Sequence, residues 1–326
     1  MCGIAGLIHR GKTGEIGKEM TAMLQSLKHR GPDSTGYALY GSPKGNALVL
    51  RWKAAEQEEM RHGVQIPDVV KERKKEVGKR LKELGATVIS EEDATEYAYR
   101  MLIDFGGDKR KLANYLEDIE GVEILSMGYG LELIKDLGDA TTVTDQYHLK
   151  GFKGSHAIGH TRMATESDVD IRSAHPYWAY PFADVSVVHN GQLTNYWGGR
   201  RALERKGHRF MSNCDSELIA VYLADKMQQG AEVKDPMTDS IDELDGVFTY
   251  VVATSDSLGM AKDVMAAKPM VLYESDDFVA LASEEVAIRS IFPKEIDTFD
   301  PYEAKCGSGS DNEETETCHG ASHQIA

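Results

Sequence analysis

The chain has 326 residues, a hydrophobic fraction of 41% and a charged fraction of 28%, the values of an ordinary globular protein long enough to bury a large core. Its formal net charge of −16 and pI near 5.2 argue against a phosphate-backbone partner, because nucleic-acid binding leans on clustered Lys and Arg. The early apolar run IAGLI lacks the basic flank and cleavage site of a signal peptide, and no segment approaches the ~20 apolar residues that span a bilayer, so a cytoplasmic enzyme is expected.

In chain order, residues 3–9 (GIAGLIH) and 36–51 (GYALYGSPKGNALVLR) predict strands. Between them MTAMLQSLKHRG predicts a helix, with Met20, Met23, Leu24 and Leu27 at helical spacing and Gly31–Pro32 as its stop. From about 53 to 150 the composition shifts to Lys and Glu, and Val70, Val77, Leu81 and Leu84 line one face of a predicted helix. A short strand (ATVIS), a helix begun by Ser90 with acidic residues in its first turn, a helix in KLANYLEDI and a strand in VEILSM follow. This reads as a small α/β insertion over 53–149. Strands return after 151 in HAIGHTR and DVSVVHN, then a helix over Ser216–Met227, then strands in GVFTYVVAT, KPMVLYES and FVALAS. Long apolar runs blur their alternation, as in sheets buried in layers.

Four cysteines, Cys2, Cys214, Cys306 and Cys318, are too few for a disulfide scaffold in a chain of this size. Residues 304–326 read as a flexible acidic tail. Cys306, Cys318, His319 and His323 could be drawn there as zinc ligands, but no C-x-x-C spacing supports a metal site.

Cys2 carries the chemistry of interest. A methionine ahead of so small a residue is normally removed, leaving a thiol and a free α-amine on one residue. An α-amine titrates at about 7.7–8.0, near working pH, so it serves the thiol as a base with no separate histidine. The thiol can then attack a carbonyl carbon and form a thioester that water hydrolyses.

Four further stretches accompany it. HRGPDSTG at 29–36 sets Arg30 and Asp33 in a tight turn, and GHTRMAT at 159–165 carries Arg162 off a strand end. In VVHNGQLTN, Asn190 and Gly191 supply two neutral donors for an oxyanion, the glycine admitting close approach. SNCDSELIA puts Asp215 just ahead of a helix. Taken singly these are an ordinary turn, a surface salt bridge, an Asn-Gly hairpin and an N-cap.

Together, in order and spacing, MCGI, HRGPDSTG, HTRMAT, HNG and CDSE resemble the class II glutamine amidotransferases, the N-terminal-nucleophile hydrolases. The resemblance implies an α+β, four-layer αββα sandwich formed by residues 2–52 and 150–303. It implies that Cys2 is nucleophile and base and that Asn190 and Gly191 form the oxyanion hole. Arg162 and Thr165 would hold the α-carboxylate of L-glutamine and Asp215 its α-ammonium. His175, in SAHP, would support the carboxylate pocket, and Arg30 and Asp33 the loop. Met163 stands where some members carry an aromatic residue after HTR.

No Walker loop, dinucleotide fingerprint or iron–sulfur cysteine cluster is present in the chain. The resemblance is strongest to stand-alone amidotransferase subunits of glutamate-synthase-like systems, including N-methylglutamate synthase. It implies no cofactor in this chain and a flavin and an iron–sulfur cluster on a separate synthase partner. Since the chain holds only the ammonia-releasing half of a transfer, a hetero-oligomer is expected, with the insertion helping to seat the partner or else a passive surface elaboration. Two alternatives stay open: a non-catalytic regulatory subunit with a blocked N-terminus, and an N-terminal-nucleophile amidohydrolase for another amide.

Overall fold

Strand β1 (Gly3–His9) shows how the layers arise: Ile4 and Ile8 face one way, Ala5 and Leu7 the other, and all four are buried. A strand apolar on both faces needs packing on both sides. The computed structural model describes residues 2–55, 59, 66–163, 170–292 and 294–301, and the backbone of 322–324.

The remaining strands are β2 (Ser34–Tyr40), β3 (Leu48–Lys53), β4 (Thr87–Asp93), β5 (Ala98–Asp104), β6 (Glu123–Gly128), β7 (Leu131–Leu137) and β8 (His156–Arg162). They continue with β9 (Tyr177–Trp178), β10 (Ser186–Leu193), β11 (Gly246–Ala253), β12 (Leu258–Lys262), β13 (Val271–Ser275), β14 (Phe278–Ala282) and β15 (Ser322–Gln324). One sheet has the order β13-β14-β1-β8-β2-β7, a second β15-β12-β11-β10-β9, and a third β4-β5-β3-β6.

The first two sheets stack face to face. Ile4, Ile158 and Leu281 from one meet Val188, Val251 and Met260 from the other in a buried cluster. Outside the first sheet lie helices Ile16–Ser26, Ala140–Gln146 and Glu285–Arg289, and outside the second Tyr196–Arg205, Asp215–Gln228 and Lys234–Glu243. The result is the expected four-layer αββα sandwich. Helix Asp215–Gln228 is buried from Ser216 to Asp225, so it forms part of the core rather than a half-exposed cover.

The third sheet packs with helices Ile66–Glu83 and Lys109–Glu117. By strand membership it runs from β3 to β6, while β7 returns to the edge of the first sheet. Buried charges pair between this sheet and β7, Arg51 and Arg100 on Glu132 and Lys135 on Glu123, and within it Lys53 on Glu123, as the cost of burying an unpaired ion requires.

The secondary structure differs from expectation in places. Residues 36–51 form no single strand: β2 and β3 belong to different sheets, parted by a turn with Gly45 at φ 62°. No helix begins at Ser90. That residue lies inside β4, and the acidic run after it pairs across strands and helices, Glu92 with Arg100 and Glu91 and Asp93 with Lys74. Strand β12 has no counterpart in the reading of the sequence. Most of the 304–326 tail, with Cys306, Cys318 and His319, lies outside the described residues, but the backbone of Ser322–Gln324, which includes His323, pairs with β12 as an edge strand. No helix among the described residues is long and apolar enough to cross a membrane.

Candidate active site

Cys2 sits immediately ahead of β1, whose first residue, Gly3, is registered against Thr161 of β8. A Cβ on Gly3 would lie 2.7 Å from the Thr161 hydroxyl, so only glycine lets the two strands close here. The Met163 amide nitrogen stands 3.4 Å from Cys2 Sγ. The carbonyl oxygen of Cys2 accepts from Arg30 Nε at 2.9 Å and from Asn190 Nδ2 at 3.0 Å.

Arg30 ends a 3₁₀ turn (Lys28–Arg30), is buried, and donates also to Glu284 Oε1. Burial opposes ionisation of Glu284, but the hydrogen bond and charge of Arg30, with His29, hold its carboxyl below the usual range. In the same turn Gly31 passes so close to β8 that a Cβ would meet the Arg162 carbonyl carbon at 2.5 Å. Asp33 donates its backbone N–H to the carbonyl of Arg162 at 3.1 Å and accepts from the Gly138 N–H. The HRGPDSTG turn is thereby fixed to the strand that carries Arg162.

Asn190 ends the buried run of β10 and Gly191 follows it into the open. Gly191 has φ 148°, and a Cβ there would meet the Val247 carbonyl oxygen at 2.1 Å, so no other residue fits without strain. Asn190 Nδ2 also reaches Ser283 Oγ at 3.2 Å, and His160 Nε2 stands 3.0 Å from Asn190 Oδ1. Burial pushes the imidazoles of His160 down to about 3 and of His189 down to about 4. It drives His175 well below its ordinary value too. The three imidazoles around Asn190 are therefore uncharged near neutral pH.

Asp215 opens helix Asp215–Gln228, with Cys214 as N-cap and no side-chain cap bond. Its carboxylate does not serve as the cap: Oδ2 accepts from the Leu193 N–H at 2.8 Å, tying the helix to the end of β10. Beside it opens a cavity of about 700 Å³, bounded among others by Gly191, Leu193, Asp215, Tyr196 and Trp197. The Asn190–Gly191 pair thus stands between Cys2 and this cavity. Cys2 and Arg162 are not among its described walls.

Arg162 is buried at the end of β8. His175 is buried behind Asn190, its ring stacked on that of His160 with centroids 4.0 Å apart, and it does not line the cavity. Thr165 lies outside the described residues. Cys2, Arg30, Asn190 and Gly191 are brought together, with Asp33 and Arg162 joined through the turn and Asp215 on the cavity wall beside the end of β10. Among the described residues no His, Cys, Asp and Glu side chains are grouped to hold a metal ion.

Three residues of this arrangement have no assignment in the sequence reading: His160, Ser283 and Glu284. His160 shared a signal with Arg162, since two residues apart on a strand place both on one face. Nothing local in FVALASEE marks Ser283 or Glu284, whose partners lie 93 and 254 residues away.

The same sandwich occurs in a glutamine phosphoribosylpyrophosphate amidotransferase from B. subtilis, with a TM-score of 0.55, 18% identity, and coverage of 89% of this chain and 43% of that one. A second structure, the allosteric regulatory enzyme of purine biosynthesis, gives 0.56 at 19% identity over the same shares. The fold is that of the N-terminal-nucleophile hydrolases. A glutamine amidotransferase domain pattern matches residues 160–290. A candidate glutamine amidotransferase of Methanothermobacter thermautotrophicus is 38% identical over 311 residues, 94% of this chain and 99% of that one. The glutamine amidotransferase-like protein GlxB of Rhizobium meliloti is 33% identical over 290 residues, 88% of this chain and 91% of that one. The chain belongs to the class II glutamine amidotransferases.

Proposed function

We propose that the chain is a glutaminase subunit that hydrolyses L-glutamine to glutamate and ammonia through a thioester on Cys2. The observation that carries this reading is the meeting of three remote segments at Cys2: Arg30 and Asn190 on its carbonyl, and the Met163 amide at its sulfur. With Met1 removed, the α-amine of Cys2 takes the thiol proton as sulfur attacks the amide carbon of glutamine, then gives it to the departing nitrogen, releasing ammonia. Water adds to the thioester with proton transfer back to the thiolate, and glutamate leaves.

In this reading the developing oxyanion is met by Asn190 Nδ2 and the Gly191 N–H, two neutral donors. Glutamine is a zwitterion with a neutral amide. Arg162 and Thr165 hold its α-carboxylate and Asp215, on the wall of the cavity, its α-ammonium. His175 supports the pocket from behind, through its stack on His160. Release of glutamate by the purified chain, lost on Cys2→Ala, tests the reading; undiminished turnover in that variant overturns it.

The ammonia goes, on this proposal, to a separate glutamate-synthase-like partner that carries a flavin and an iron–sulfur cluster, the chain itself holding no cofactor. Two relatives matched over 99% and 91% of their own lengths support a subunit of this size, in contrast with the phosphoribosylpyrophosphate enzyme, of which this chain covers 43%. Co-purification with the partner from the native host, in cytoplasmic extract, tests it. A chain that purifies alone, with full turnover and no coupling to a synthase, contradicts it.

A further inference from the structure

His160 lies on β8, at the centre of the first sheet, registered against Ile4 on one side and Gly36 on the other. Its imidazole crosses toward the second sheet. There Nε2 stands 3.1 Å from the carbonyl oxygen of His189 and 3.0 Å from Asn190 Oδ1.

The carbonyl oxygen of His189 can only accept a hydrogen bond, so Nε2 must carry a proton. That fixes the tautomer of a ring which burial keeps uncharged. A protonated Nε2 must in turn face the oxygen of the Asn190 amide and not its nitrogen. The amide is thereby oriented with Nδ2 toward Cys2, where it lies 3.0 Å from the Cys2 carbonyl oxygen and 3.2 Å from Ser283 Oγ. With the amide turned over, Nδ2 would oppose the His160 N–H and an acceptor would face the oxyanion.

The ring is itself held from turning. His175 stacks on it with an interplanar angle of 30°, and the His175 backbone reaches this place because residue 36 is glycine: a Cβ there would lie 2.0 Å from the His175 carbonyl oxygen. Neither His160 nor Gly36 touches the cavity walls.

We infer that His160 is a positioning residue of the oxyanion hole: its Nε2–H, locked by the His189 carbonyl, holds the oxygen end of the Asn190 amide while the Cys2 carbonyl, which can only accept, holds the nitrogen end, and together they keep a donor in the hole. The inference rests on the proposed glutaminase reaction at Cys2. It predicts that His160 acts on the chemical step and hardly on glutamine binding, since the oxyanion exists only beyond the ground state.

The test uses two near-isosteric replacements, His160→Gln, which keeps an N–H donor at about the place of Nε2, and His160→Met, which has none. Turnover is expressed per site titrated with 6-diazo-5-oxo-L-norleucine, so that a smaller folded fraction does not imitate slower chemistry. His160→Met is expected to lose about tenfold or more in kcat, toward the roughly hundredfold cost of one oxyanion-hole donor, with KM for glutamine within about threefold. His160→Gln is expected to recover most of that loss. Equal kcat per titrated site in the two variants overturns the inference, as does a His160→Met defect confined to thermal stability or KM. A wild-type chain with neither turnover nor label would instead strike the glutaminase reading itself.

Discussion

Asn190 Nδ2 lies 3.0 Å from the carbonyl oxygen of Cys2, although 188 residues separate the two. The bond joins the second sheet to the first at the point where the chain enters β1, and it holds the neutral donor of the proposed oxyanion hole beside the nucleophile. Asn190→Ala is expected to lower kcat by roughly 10²–10³ while KM for glutamine moves little. A KM effect without a kcat effect would assign Asn190 to substrate binding instead.

Asp215 offers a test in which charge and hydrogen bonding separate. Asp215→Asn keeps an oxygen for the Leu193 N–H, now at 2.8 Å from Oδ2, but removes the charge proposed to meet the α-ammonium. The expected KM rise is more than tenfold, within the ~2–5 kcal/mol span for breaking a desolvated ion pair. The melting temperature should stay within ~2 °C of wild type. Unchanged KM would mean that Asp215 serves only to tie helix Asp215–Gln228 to β10.

Gly191 is predicted to tolerate no side chain. At φ 148°, with the Val247 carbonyl oxygen 2.1 Å from where a Cβ would stand, Gly191→Ala must shift the end of β10. A loss of about 1–3 kcal/mol in stability and near-complete loss of glutamate release are expected. A stable, active variant would show that the tip of β10 relaxes freely.

Glu117 supplies a pH dependence. Its Oε2 is sealed from solvent without a partner among the described residues, and burial, outweighing the hydrogen bond from the Ile124 N–H, raises its carboxyl to about 8. An unfolded glutamate titrates near ~4.3. The folded value is the higher one, so the contribution of Glu117 to stability is fully present below about pH 4.3 and lost as pH rises through about 8. Glu117→Gln carries no charge at any pH. Its advantage over wild type in denaturant unfolding should be near zero in acid and grow to a few kcal/mol, at most, by pH 9. Parallel stability curves would contradict the assignment.

The partner proposal meets the third sheet. Removing the whole insertion would strip β7 from the first sheet, so deletion cannot separate docking from folding. Strand β4 can be altered without that penalty: it is an exposed edge, with Val88 39% and Ile89 56% exposed. Ile89→Lys is expected to weaken co-purification with the synthase partner while glutaminase turnover is unchanged. Intact complex formation would place the interface elsewhere.

Layered sheets were legible because buried strands leave long apolar runs, and the helix stops and strand ends carry recognisable residues; the four-layer order came from the family resemblance. Cys2, Asn190, Gly191 and Asp215 stood out as candidates because each lies at or near the end of such an element, within a family motif. The third sheet was harder. The acidic run after Ser90 suits a helix N-terminus as well as a strand, and its pairing with Arg100 and Lys74 appears only once those elements meet. His160, Ser283 and Glu284 were invisible as site residues for the same reason, since their meaning lies in partners supplied by other strands and turns.

The central claim, that Cys2 with a free α-amine is the nucleophile, is tested most directly by intact mass of the purified chain before and after 6-diazo-5-oxo-L-norleucine. The account predicts a chain without Met1 that gains a single adduct, mapped to Cys2 and absent from Cys2→Ala. Retention of Met1 in an active enzyme, or an adduct on another residue, would contradict it.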